Sequence, residues 1–339
     1  MNQRPPRISD ICQHLGLSKA TVSKALNGYS SVSEETRARV LACARALGYV
    51  MPQHQADPGA RLTRIGITAF SFSGNAEAAG PYQAILTGLM SELGQSHYDT
   101  VLIPPQIIEK QDIPYDDAVR SMQLDCAFIC GLKTSDPYFE QLKTTEFPTL
   151  CWDFSVSNPH VHNVFCDSTE GMRMAAEHLI ELGHWKIGFI CAYREAQVSL
   201  QRLDGYILAL SRHGIPYDAS LVYYGDFTEA SGALGFHELI RREVTGFVCI
   251  SDVTAIGACR AAMAMGYGVP EDISIVGYDD AALTGVLPTG LTSVNQHPEL
   301  IGRTAATALR NMLHHRPVAD TVIHPTLTIR GSTARRKNG

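Results

Sequence analysis

From residue 65 to residue 339 the chain alternates short apolar runs with longer amphipathic stretches, the pattern of a doubly wound parallel sheet covered by helices. The apolar runs at 65–70, 100–103, 126–130, 149–152, 186–191, 246–250 and 273–277 are expected to be strands. Stretches with apolar residues at helical spacing, at 82–95, 169–182, 203–213, 229–241 and 255–264, are expected to be helices. So many βα units exceed one sheet, which argues for two α/β lobes. Ligands of such sheets bind beyond the carboxyl ends of the strands, and two facing lobes make a cleft from those ends.

With 45% hydrophobic and 18% charged residues the chain is too apolar to be disordered. No run approaches the ~18 apolar residues of a membrane span, and the start MNQRPPRISD lacks the apolar core of a signal peptide, so a cytoplasmic protein is expected. The nine cysteines stand singly in apolar runs without C-x-x-C pairs, and the thirteen histidines form no H-E-x-x-H, so neither a metal nor a cofactor is expected. Charge is uneven along the chain. Residues 1–64 hold nine Lys/Arg against four Asp/Glu, a net of +5, whereas the whole chain carries −6, leaving −11 for the remainder. A basic head on an acidic body suits a polyanionic partner met by the head alone.

The head reads as three short helices. Ile11, Cys12 and Leu15 form one apolar stripe ended by Gly16; Ser18 is placed to cap a second helix, 19–27; Ser33 is placed to cap a third, whose apolar face is Val40, Leu41, Ala44 and Leu47. Two helices joined by a tight Gly-Leu-Ser turn, with a third behind them, make a helix-turn-helix. The second helix presents Lys19, Ala20, Thr21, Ser23, Lys24 and Asn27, a face of short donors and lysines suited to a major groove. A three-helix bundle used for protein contacts is the alternative.

The run ISDICQHLGLSKATVSKALNGYSSVSEETRARVLACARALGYVMP resembles the DNA-binding head of the LacI/GalR family, above all in T-V-S-K-A-L-N-G. The resemblance implies that Lys19 and Ala20, just after Ser18, hold the specificity positions of the recognition helix. It also implies that Thr21, Ser23, Lys24 and Asn27 are its other polar contacts, with Val22, Leu26 and Leu47 in the core. The segment after the head departs from the family. Where the family places a leucine that wedges into the minor groove, Asp57-Pro58-Gly59 signals a turn, and proline inside a helix costs ~3 kcal/mol. An ordinary hinge helix is therefore not expected, and either Leu62 substitutes as the wedge or the hinge makes backbone contacts only.

The resemblance extends over almost the whole chain. DSTEGMRMAAEHLIELGHWKIGFI, RLDGYILAL, VPEDISIVGYDD and LTIRGSTARR resemble successive motifs of the same family. They imply an α/β fold: a two-lobed periplasmic-binding-protein-like domain of doubly wound parallel sheets behind an N-terminal all-α helix-turn-helix DNA-binding domain. The implied divisions are a head at 1–50, a hinge at 51–64 and an effector-binding domain at 65–339. Lobe one takes about 65–165 and 297–325, and lobe two about 166–296 and 326–339. By position in these motifs, Asp153, Arg202, Ser251, Asp279 and Gln296 are the expected effector contacts. Arg202 would donate a fork of hydrogen bonds and Asp279 would accept, while Ser251 stands where the family commonly has an asparagine. Trp152 and Phe72 fit core packing at least as well as stacking on a ligand, and His178 and His184 fit structural roles.

Two other classes share the body pattern. A nucleotide-cofactor oxidoreductase would need a phosphate-binding loop, but SFSGNAEAAG is not G-x-G-x-x-G, and no P-loop or G-x-S-x-G occurs. A transport binding protein would need a signal peptide and no DNA-reading head. The expectation is a homodimeric regulator, not an enzyme, on a near-palindromic double-stranded DNA operator. A small-molecule effector, on the family's habit a carbohydrate, would control it.

Overall fold

A computed structural model describes residues 6, 8–26, 32–47, 62–69, 80–94, 98–103, 113–281 and 290–336. The chain forms two units, Met1–Arg61 and Leu62–Gly339. In the first, α1 (Ile8–Leu15), α2 (Lys19–Leu26) and α3 (Glu34–Ala46) enclose a core of Ile11, Val22, Ala25, Val40 and Ala44. Gly16, at φ +64°, ends α1 in the left-handed conformation, and the Leu17 amide donates back to the Cys12 carbonyl, which turns the chain sharply into α2. Ser18 and Ser33 cap the next two helices as their positions predict: their hydroxyls accept from the Thr21 and Thr36 amides at 3.1 and 3.3 Å.

Among the described residues the second unit contains two six-stranded sheets. The first, in the order β11-β5-β4-β3-β1-β2, is parallel throughout. It comprises β1 (Thr63–Ala69), β2 (Tyr98–Leu102), β3 (Cys126–Cys130), β4 (Thr149–Trp152), β5 (Val161–Cys166) and β11 (Thr321–Ile323). The second, in the order β12-β10-β9-β8-β6-β7, is parallel except at the β10–β12 edge. It comprises β6 (Ile187–Cys191), β7 (Val222–Tyr224), β8 (Gly246–Cys249), β9 (Ser274–Asp279), β10 (Thr292–Asn295) and β12 (Thr326–Thr328).

The apolar runs of the sequence are continuous because both faces of each sheet are covered. In β3, Cys126, Phe128 and Cys130 enter the core beneath α4 (Gly80–Leu93) and α11 (Pro298–Leu313), while Ala127 and Ile129 enter the one on the opposite face, with α5 (Tyr115–Ser121) and α6 (Pro137–Leu142). Sheet two is likewise flanked by α7 (Ser168–Glu181) and α8 (Gln197–Arg212) on one face and α9 (Glu229–Leu239) and α10 (Asp252–Ala264) on the other. Where α4 crosses α11 the backbones touch: a Cβ at Gly88 would strike the Glu299 carbonyl, and one at Gly302 the Ile85 carbonyl.

Three passages join the lobes: between β5 and α7, between β10 and α11, and between β11 and β12. They are tied together, since the Asp167 amide donates to the Ile323 carbonyl at 3.0 Å and His297 Nε2 lies 3.2 Å from the Thr326 hydroxyl. His178 and His184 fasten the C-terminal tail, at 2.9 Å from the Thr333 hydroxyl and 3.1 Å from the Ala334 carbonyl. Burial holds both imidazoles below their ordinary pKa.

Candidate functional site

The carboxyl ends of β4, β8 and β9 and the first turns of α4, α8 and α10 border a cleft between the lobes. The gap encloses about 520 Å³ of space, part of it open to solvent. Asp153, Arg202, Ser251, Asp279 and Gln296 all line it, as does Trp152. Phe72 lies outside the described residues. Sequence reasoning missed Tyr82, Asp252 and Phe227, which also line the cleft. Asp252 adjoins the expected contact Ser251 in the sequence, which is the signal that could have found it; no motif marks the other two.

Arg202 is almost fully buried in α8. Its Nη1 donates to the Ile250 carbonyl, its Nη2 lies 4.0 Å from Asp279 Oδ1, and its guanidinium sits 3.6 Å above the centre of the Tyr278 ring. Gln296, on the passage between β10 and α11, donates from Nε2 to the same Asp279 oxygen at 2.6 Å. Asp279 ends β9 at φ +115°, and Asp153 follows β4 at φ +69°. Both are strained conformations for residues with a side chain, costing about 1–3 kcal/mol each and persisting where the surroundings hold them. The adjacent Asp280 turns the other way, to Arg330, Asn295 and Thr328, so it forms no acid pair with Asp279. Asp252 accepts from the Ser293 hydroxyl at 2.6 Å and from the Ala281 amide at 2.7 Å, bracing the loop after β9. Ser251 reaches the cleft, but its hydroxyl caps α10 by accepting from the Thr254 amide.

Several cleft atoms are buried with no hydrogen-bond partner among the described residues: Trp152 Nε1, the Tyr82 hydroxyl, Arg202 Nε and Gln296 Oε1. Such groups are costly until a ligand meets them. Burial also pushes the Asp153 carboxyl up to about 7, with Arg202 opposing and Asp279 adding to the rise. Asp279 is raised by burial too, against the pull of Arg202 and Gln296. A carboxyl raised in the folded state costs stability as pH climbs from its unfolded value through its folded one. Asp153→Asn is therefore expected to raise Tm relative to the wild type by an amount negligible near pH ~4, growing to several degrees by about pH 7 and level above. Melting curves across that range check it; a difference independent of pH would contradict it.

One rim of the cleft is clasped. Ser155 and Gln197 exchange two hydrogen bonds, at 3.0 and 3.1 Å, the Thr134 amide donates to the Glu195 carbonyl at 2.9 Å, and Lys133 lies 4.1 Å from the centre of the Tyr193 ring. Each contact joins a loop of the first lobe to a loop or the first turn of α8 in the second.

In the head, α2 buries Val22 and Ala25 and leaves Lys19, Ala20 and Lys24 exposed, with Thr21 and Ser23 half-buried. Ser18 is exposed, with its hydroxyl engaged as the cap. Asn27 and the hinge at 51–61, with Asp57, Pro58 and Gly59, lie outside the described residues; Leu62 is exposed just before β1. Among the described residues no cluster of His, Cys, Asp or Glu is placed to hold a metal, and no helix is long and apolar enough to cross a membrane.

Comparison with known proteins agrees with this layout. Residues 7–52 match the model of the bacterial regulatory proteins of the lacI family, and residues 176–333 match a periplasmic binding protein-like domain. The chain is 31% identical over 313 residues to the HTH-type transcriptional regulator CelR of Thermobifida fusca, covering 91% of this chain and 92% of that one. It is also 31% identical over 281 residues to the regulator AglR of Rhizobium meliloti (strain 1021), covering 81% and 78%. Among solved structures, the transcriptional regulator CelR–cellobiose complex superposes with a TM-score of 0.73 at 29% identity, over 96% of this chain and 99% of that one. The lac repressor dimer bound to operator and the anti-inducer ONPF superposes at 0.66 with 25% identity, over 98% and 100%. With a lacI-type head, a two-lobed ligand-binding body and relatives aligned along nearly its full length, the chain belongs to the LacI family of bacterial transcription regulators.

Proposed function

We propose that the chain is a cytoplasmic homodimeric repressor that carries out no catalysis, holds a near-palindromic operator with its two heads, and answers to a carbohydrate bound in the cleft. The observation that carries this is the cleft itself: Asp153, Arg202, Asp279 and Gln296 converge from both lobes around buried polar atoms that lack partners, in a chain that also has a DNA-reading head. The cellobiose-bound CelR structure supports a carbohydrate, and the operator-bound lac repressor dimer supports two-fold assembly on DNA. The functional units are a head at 1–50, a hinge at 51–64, lobe one at 65–165 with 297–325, and lobe two at 166–296 with 326–339. Ser18, Lys19, Ala20, Thr21, Ser23, Lys24 and Asn27 are the DNA-facing set, with Ser18 acting mainly as the cap of α2. Asp153, Arg202, Ser251, Asp279 and Gln296 are the effector set.

Selection of random duplexes by the full-length protein at near-physiological salt tests the DNA half of the proposal. A two-fold symmetric consensus is expected; sequence-neutral, salt-sensitive binding alone would refute it. Lys24→Ala is expected to weaken binding to that consensus by about tenfold or more and to relax one base position in each half-site. Repeating the selection with the variant checks this, and an unchanged consensus would remove Lys24 from the base contacts.

A further inference from the structure

On the reading that the cleft binds the effector, its charge narrows the effector's chemistry. Among the described residues the lining carries three carboxyl groups, Asp153, Asp252 and Asp279, and a single cation, Arg202. That cation donates to the Ile250 carbonyl, stacks on the Tyr278 ring and lies 4.0 Å from Asp279, which leaves Nε as its one unmet donor among the described residues. Nearer the rim, Lys133 lies over the Tyr193 ring and Arg194 over the Tyr224 ring at 3.6 Å.

What the cleft offers instead is a mixture of unmet donors and acceptors beside aromatic surface. Trp152 Nε1 and Arg202 Nε donate, Gln296 Oε1 accepts, the Tyr82 hydroxyl does either, and the carboxyl groups of Asp153 and Asp279 accept when ionised and donate when protonated. Hydroxyl groups, each a donor and an acceptor, match such a set. A phosphate or carboxylate brings acceptors only, loses its hydration and meets three carboxyl groups against one cation, Arg202, among the described lining residues.

We infer that the effector is an uncharged, hydroxyl-rich molecule, and that Asp153 is the residue that turns away its phosphorylated or carboxylated counterparts. Asp153 holds this position because it stands on lobe one, opposite the Arg202–Asp279 pair of lobe two, and makes no ion pair with a lobe-one cation among the described residues. Asp252 contributes less, since its oxygens accept from Ser293 and Ala281.

The chain has two tryptophans, Trp152 in the cleft and the exposed Trp185, so full-length protein carrying Trp185→Phe reports on the cleft by fluorescence. It is titrated with matched pairs: glucose and glucose 6-phosphate, cellobiose and cellobionate, adenosine and adenosine 5′-monophosphate, with inorganic phosphate alone as the simplest anion. The expected result is a saturable change with a neutral member, its charged partner binding on the order of 100-fold more weakly, and that gap narrowing to about tenfold in Asp153→Asn. A charged member binding as tightly as its neutral partner, or a saturable response to millimolar inorganic phosphate, would overturn the inference. A preference for adenosine over both its nucleotide and the sugars would uphold the charge rule while refuting the carbohydrate assignment. A preference for glucose 6-phosphate would do the reverse.

Discussion

Replacing Arg202 by methionine is expected to abolish the response of DNA binding to the effector while leaving DNA binding by the unliganded protein within about twofold of the wild type. Methionine keeps much of the side-chain volume, so what is lost is the donor fork and the charge. Without it, Asp279 has Gln296 as its remaining side-chain partner and the facing Asp153 loses its cation. Removing one member of a buried pair costs about 3–5 kcal/mol when the other stays charged. Both carboxyls are already raised towards neutrality by burial, so the loss in stability should fall at or below the lower end of that range. It should also shrink between about pH 8 and about pH 5, because a protonated Asp279 needs no cation. Melting curves and operator-binding isotherms with the fluorescence-identified ligand check both parts. A retained effector response would remove Arg202 from the coupling.

Val22→Asp is expected to have the opposite profile: sequence-specific DNA binding falls to the non-specific level, while ligand binding measured through Trp152 stays within about twofold. Val22 is fully buried among Ile11, Ala25, Val40 and Ala44, in a unit with few other apolar contacts to spare. Burying a carboxylate there with no partner costs several kcal/mol, as much as a domain of this size has to lose. Because Met1–Arg61 and Leu62–Gly339 are separate units, the cleft should not register the change. Loss of ligand binding in this variant would show that the two units are not independently folded.

Where the sequence was legible, a strong local signal agreed with tertiary packing. The strands at 126–130 and 149–152 were predicted to the residue because they are buried on both faces and read as unbroken apolar runs. Asp279 was placed at a strand end because SIVGYD is such a run closed by an acid. The elements not predicted lacked these signals. β7, β10, β11 and β12 are three or four residues long, β7, β11 and β12 lie at sheet edges, and the buried run of β5 is broken by two half-buried residues. The amphipathic helix α11 went unnoticed as it crossed back to lobe one, although proline at its first turn marked its start. α8 was predicted to start at residue 203 but starts at Gln197, because its cap is Ala196 and no side chain signals the turn. That missed turn holds Gln197 of the clasp and Val198 of the cleft wall.

The charge logic of the cleft was less legible still. The five expected contacts line one cavity, yet a list of residue types suited neutral and phosphorylated ligands alike. Only the geometry reveals that Arg202 is already engaged and that Ser251 caps a helix. Tyr82 joins the site because α4 begins beside Trp152, with the two rings edge to face at 5.1 Å, a contact no local pattern encodes.

The central claim is that the occupied cleft and the DNA-reading head are energetically coupled. The most direct measurement is reciprocal linkage: operator affinity with and without saturating neutral ligand, and ligand affinity with and without saturating operator. The account predicts that both affinities change by the same factor, on the order of 5–150-fold, and that the factor becomes one in Arg202→Met. Operator affinity unchanged at full cleft occupancy, read from Trp152 in the same samples, would contradict it.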